Sequence, residues 1–127
     1  MRILLLIVFI LPLSVSAQEQ IDLKRKYFGK YQGTIPSYKM GSSLDVIDVG
    51  ETAIYVTIAK DEIAVTIGNR KLYGTYEVMF MAKKYYLLDA KIKGQLANER
   101  ILVYKRGRRI SRDGLYPQPV TELNKFK

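Results

Sequence analysis

The 127-residue chain contains no histidine and no cysteine, and this limits its chemistry first. Without them, Ser–His–Asp and Cys–His nucleophilic sites cannot be assembled, and the common zinc sites lose their ligands. Acid–base work falls to carboxylates, lysines and tyrosines. Glu77, Asp89 and Glu99 lie on successive strand-like segments, where two of them could flank a cleft as glycosidase acids do. Each falls opposite the aliphatic row of its segment or at a segment end, so all three are expected to face solvent beside Lys91 and Arg100. Asp45, Asp48 and Glu51 gather near Gly50 and offer the oxygen ligands that calcium takes, but the spacing lacks the D-x-D-x-D-G pattern. The expectation is a solvated acidic loop, with no metal, no cofactor and no enzyme activity.

Positive charge is the more promising chemistry. The formal net charge is +9. Its densest cluster is Lys105, Arg106, Arg108 and Arg109, with Arg112 just beyond. Straddling a hairpin turn, these side chains would fan outward and could grip sulfates, phosphates or carboxylates. The alternative is a solvated turn whose charges protect an edge strand from aggregation. Ten tyrosines and no tryptophan complete the inventory. Tyr38, Tyr55, Tyr73, Tyr85, Tyr104 and Tyr116 fall in loops or on the expected outer face, as sugar-stacking groups or as cross-strand partners.

The elements that must position these groups read as strands. Phe28 to Ile35 alternates and stops at Pro36, which cannot donate to a ladder. Ser37 to Ser43 reads as a flexible loop, and Leu44 to Val49 as a short irregular strand. Ile54, Val56 and Ile58 share one face of Thr52 to Ala59, and Ile63, Val65 and Ile67 repeat the pattern after Lys60-Asp61, which reads as a hairpin. Leu72 to Met81 places Tyr76, Val78 and Phe80 together, and Gly74 within it suggests a bulge or a sharp barrel bend. Tyr85 to Ile92 aligns Tyr86, Leu88, Ala90 and Ile92. Glu99 to Lys105 aligns Ile101 and Val103, and Arg108 to Arg112 is a short last strand. The tail from Asp113 is extended or turned, and Val120, Leu123 and Phe126 are spaced for one closing amphipathic helical turn.

Short sequential turns impose up-and-down order, and a long sheet with one apolar face either closes into a barrel or folds into a sandwich. The expected fold class is all-β: an antiparallel up-and-down meander closing into a small barrel, with a β-sandwich as the alternative. Its interior would be lined by Ile54, Val56, Ile58, Ile63, Val65, Ile67, Tyr76, Val78, Phe80, Leu88, Ile101 and Val103.

The compartment is written at the start of the chain. Arg2, the apolar run Ile3 to Leu11, the break at Pro12 and the small residues Val15-Ser16-Ala17 match an export signal cleaved after Ala17. The run is too short for a bilayer-spanning helix, which takes about 20 residues. The expectation is a cleaved leader over 1–17 and a single domain over 18–127 with an extended tail, periplasmic or secreted. With no cysteine there is neither a disulfide nor a lipid-anchor thiol, so the domain must stand on packing and hydrogen bonds.

Gly29-x-Tyr31-x-Gly33 behind a short lead-in resembles the opening of lipocalin-like (calycin) barrels. There a Gly-x-Trp begins strand one and an arginine from near the barrel's end packs across the ring. Tyr31 would take the ring's place here, and Arg112 or Arg100 the arginine's. The chain as a whole is similar to small exported envelope proteins of Gram-negative bacteria.

Two functions follow. The resemblance implies a non-catalytic module holding a small apolar or amphipathic ligand among Tyr31, Tyr76, Phe80 and Tyr86, with the Ser37 to Ser43 loop as a lid. The basic cluster implies an envelope protein that binds an anionic glycan or lipid head group through Lys105, Arg106, Arg108, Arg109 and Arg112. An exported protein is not expected to meet nucleic acid, and nothing reads as membrane-spanning. A carboxylate-dependent hydrolase using Glu77 and Asp89 is the least favoured reading.

Overall fold

The computed structural model describes residues 21–41, 44–114 and 118–126; the leader at 1–17, Ser42, Ser43 and Tyr116 lie outside them. The alternating runs become ten strands. They are β1 (Gly29–Ile35), β2 (Tyr38–Met40), β3 (Ile47–Val49), β4 (Thr52–Ile58), β5 (Glu62–Ile67), β6 (Arg70–Met81), β7 (Tyr85–Ile92), β8 (Glu99–Tyr104), β9 (Arg109–Asp113) and β10 (Thr121–Lys125). Eight of them close into an antiparallel barrel in the order β1-β10-β9-β8-β7-β6-β5-β4, and β2 pairs only with β3. The expected meander is the observed one, sealed by the pairing of β1 with β10.

Period two decides which side chains are dry. Ile54, Val56, Ile58, Ile63, Val65, Tyr76, Leu88, Ile101 and Val103 are buried, and Ile67 and Val78 are partly buried against them. Lys30, Gln32, Thr57, Thr75, Lys91 and Arg100 stand exposed on the outer wall. This is an apolar inside and a polar outside, the reverse of a transmembrane barrel, whose outer band is apolar. Among the described residues, no helix is long and apolar enough to cross a membrane.

Three expectations are corrected. Phe80 does not line the interior: it is 44% exposed. The β6–β7 register shifts between Val78 and Phe80, and the extra residue reverses the alternation beyond it, so Phe80 opposes the outer-face Leu87. The segment carrying Val120, Leu123 and Phe126 forms no helical turn. It runs as β10, with Thr121 and Leu123 buried and Glu122 and Asn124 exposed, because β1 and β9 both need a partner at the seam. Part of the expected lid loop is ordered as β2, with Tyr38 opposite Val49 on β3.

Gly74 marks a close approach rather than the bulge. A Cβ there would stand 2.1 Å from the carbonyl oxygen of Lys91, so only glycine lets β6 and β7 meet at that point.

The strand directions define two barrel ends. One carries the β2–β3 hairpin and the turns after β5, β7 and β9. The other is covered by a 3-10 turn, Arg25–Tyr27, which presses Leu23 and Tyr27 onto the core. The hairpin turns around Lys60, Lys83 and Arg106 surround that second, capped end.

Candidate functional site

The aromatic residues expected to hold a ligand do not gather into one pocket. Tyr31 is 1% exposed, and its hydroxyl donates to the Tyr27 carbonyl at 2.7 Å. Burial pushes its phenol up to about 12, with Arg108 opposing the rise. The Tyr76 hydroxyl donates to the Ala59 carbonyl at 2.7 Å, and burial raises that phenol too. Tyr86 meets Tyr27 edge to face at 5.3 Å between centroids, and its phenol is likewise raised by burial. Three of the four are therefore core residues with their polar tips satisfied or buried, and Phe80 stands outside with its ring against Tyr85.

Arg112 is placed differently from its neighbours in the basic cluster. It shares the inward parity of Ile110 on β9 and lies 1% exposed inside the barrel, so it cannot reach an external anion. Its Nε and Nη2 donate to the two carboxylate oxygens of Glu99 at 2.6 and 2.8 Å, and Nη1 donates to Gln118 Oε1 at 3.0 Å. Glu99 is thus a buried acid at 0% exposure, not a solvent-facing one. Glu99 shares its alternation with Ile101 and Val103, which was the available signal.

The arginine expected across Tyr31 is also elsewhere. Arg112 lies toward the hairpin end and Arg100 is exposed on the outer wall. The cation that reaches the 3-10 turn is Lys125, whose Nζ donates to the Lys26 carbonyl at 2.8 Å. Burial and the neighbouring Arg108 both lower its pKa.

Glu77 and Asp89 are direct cross-strand partners of β6 and β7, on the outer face. Glu77 is exposed, and Asp89 accepts a hydrogen bond from Asn98 at 3.0 Å. Among the described residues no cluster of acids is arranged to hold a metal, and Asp45, Asp48 and Glu51 are all exposed.

The remaining cations converge. The amide of Lys105 donates to the Lys84 carbonyl at 2.9 Å, which locks the β6–β7 turn beside the β8–β9 turn. The amide of Lys125 donates to the Arg108 carbonyl at 2.8 Å, and Arg108 Nη2 donates to the Phe126 carbonyl at 3.3 Å. Lys26 and Lys105 lie over the rings of Tyr27 and Tyr86 at 5.2 Å each, and those two rings touch. The 3-10 turn, both basic turns and the end of β10 therefore form one connected platform over the capped end. Arg108 holds φ +51°, a left-handed conformation that a side chain with a Cβ enters at a cost. Arg109 is drawn partly aside: its Nη1 meets Glu122 at 2.9 Å and its guanidinium lies 4.1 Å from the Tyr104 centroid.

Among the described residues two concavities stand out. A groove of about 770 Å³ crosses the outer wall between Thr57, Ala64, Tyr73, Thr75 and Lys91. A smaller recess of about 270 Å³ lies between the lead-in residues Ile21, Leu23 and Phe28 and the β6 residues Tyr76 to Val78. In comparisons with known proteins, no family model, curated protein or solved structure matches the chain.

Proposed function

We propose that the protein is a non-catalytic exported module that grips a polyanion through the basic, capped end of its barrel. The observation that carries this reading is the platform itself. Lys26, Lys84, Lys105, Arg106 and Arg108 arrive from three separate segments, tied by hydrogen bonds to main-chain carbonyls and by the edge-to-face Tyr27–Tyr86 pair beneath Lys26 and Lys105. A pre-assembled cation cluster meets phosphate, sulfate or carboxylate groups without first ordering its loops. The shared ligand chemistry is a dense row of anionic groups, as on an acidic glycan or a lipopolysaccharide core.

The test compares heparin and purified lipopolysaccharide as probes at low and high salt. Binding should weaken steeply as salt screens the contacts. It should fall about tenfold or more in an Arg106→Ala/Arg108→Ala/Arg109→Ala variant, while Lys71→Ala/Lys91→Ala, on the outer wall, leaves it unchanged. Equal binding by the triple variant overturns the reading.

The closed eight-stranded barrel with its short 3-10 lead-in also supports a lipocalin-like relationship and, with it, a small amphipathic ligand. The recess beside Ile21, Leu23, Phe28 and Tyr76 favours this second reading, since it sets an apolar wall against Lys60 and Glu77. Native mass spectrometry of the protein taken from its host tests it: a bound small molecule lost on Val78→Trp substitution supports it, and a bare chain overturns it.

A further inference from the structure

We infer that the capped end of the barrel docks on an anionic lipid bilayer, with Met79, Phe80 and Met81 entering the head-group boundary and the flanking basic turns gripping lipid phosphates. The inference rests on the polyanion reading above and names its partner.

It begins with the length of β6. Strand β5 pairs with β6 only from Arg70 to Thr75, so Tyr76–Met81 extend past β5 and pair with β7 alone. At the end of this overhang Met79, Phe80 and Met81 are 56, 44 and 50% exposed. The bulge turns Phe80 to the outer face, whereas Met81, opposite the buried Tyr86, is exposed because it stands at the end of the overhang. Without the register shift at Met79, the residue at position 80 would point into the core. Consecutive large apolar side chains held in water mark a contact surface rather than an accident of folding.

Charge selects the occupant. The overhang runs directly into Lys83 and Lys84, both exposed, and the Lys84 carbonyl is bonded to the Lys105 amide, with Arg106 next along that turn. A second copy pairing edge to edge at this overhang would bring the same basic turns together and be repelled. An anionic bilayer satisfies both halves at once, lipid phosphates for the cations and acyl boundary for the apolar tip. Basic residues near such a surface and apolar side chains inserted in it contribute together. A soluble glycan would use the cations and leave the tip in water.

The full chain with Phe80→Trp tests this, because the wild type has no tryptophan and the reporter reads only this patch. The probes are vesicles of phosphatidylcholine alone, the same vesicles containing phosphatidylglycerol, and heparin. Emission should shift to the blue and be quenched by brominated acyl chains with the anionic vesicles only. Vesicle affinity should fall about tenfold or more on Lys83→Glu/Lys84→Glu. Met79→Ser/Met81→Ser should weaken vesicle binding and leave heparin binding unchanged. Heparin binding with no spectral shift on vesicles overturns the lipid inference and spares the polyanion reading. Loss of both kinds of binding overturns both. A shift with neutral vesicles, or one that follows protein concentration without lipid, overturns the inference in favour of a purely apolar contact or of self-association.

Discussion

Arg112 and Glu99 form a two-pronged ion pair inside the barrel, at 1% and 0% exposure, on strands β9 and β8 that lie side by side. Each charge is satisfied chiefly by the other, with Gln118 taking a third donor of the guanidinium. Removing one partner strands the other without water. Arg112→Ala or Glu99→Ala alone should lower unfolding free energy by about 3–5 kcal/mol, whereas Arg112→Met with Glu99→Leu together should come out near neutral. Urea unfolding of the three variants checks this, and additive losses in the double variant would contradict it.

Tyr31 should make the protein alkali-sensitive. Its phenol ionises at about 12 when folded and near 10 when unfolded, so the folded state holds the proton more tightly. That stability is fully present below pH 10 and fades as pH climbs toward 12, a loss of roughly 2–3 kcal/mol in all. Tyr31→Phe should remove this share of the decline while costing about 1 kcal/mol at neutral pH for the hydroxyl that reaches the Tyr27 carbonyl. Denaturation curves between pH 8 and 12 on both proteins separate the two effects.

Gly74 and Gly50 should respond oppositely to alanine. At Gly74 the new Cβ collides with the Lys91 backbone, and at Gly50 it meets nothing within 4 Å. Gly74→Ala should cost about 2 kcal/mol or more, as overpacked positions do. Gly50→Ala should be neutral or slightly stabilising. Thermal melts of the pair suffice.

The last strand predicts a sharp inequality. Leu123 is fully buried while Val120 is 61% exposed. Leu123→Ala should cost about 2–5 kcal/mol and Val120→Ala less than about 0.5 kcal/mol. Equal losses would mean that the segment presents a helical face instead.

Most of the barrel wall was legible, because Ile54-Val56-Ile58 and Ile63-Val65 alternate without interruption and a closed sheet needs little more. What misled was residue type set against residue parity. Glu99 and Arg112 carry inward parity, yet each looks like a surface residue until the partner strand supplies the opposite charge. The bulge before Phe80 leaves no mark in composition, since it exists only in the pairing of β6 with β7. Val120, Leu123 and Phe126 have helical spacing, and the demand for a strand there comes from the open edges of β1 and β9. The platform over the capped end could be only half seen. The cluster at 105–109 is contiguous, but its links to Lys26, Lys84 and Lys125 join residues far apart in the chain.

The pairing of β1 with β10 has a consequence for how the protein is made. Every other wall contact joins strands consecutive in the chain or, for β1 and β4, separated only by the β2–β3 hairpin, but the seam waits for the last strand to arrive. Until residues 121–125 join it, the chain can form only an open, curling sheet, and it becomes a sealed cylinder when its last strand finds its first.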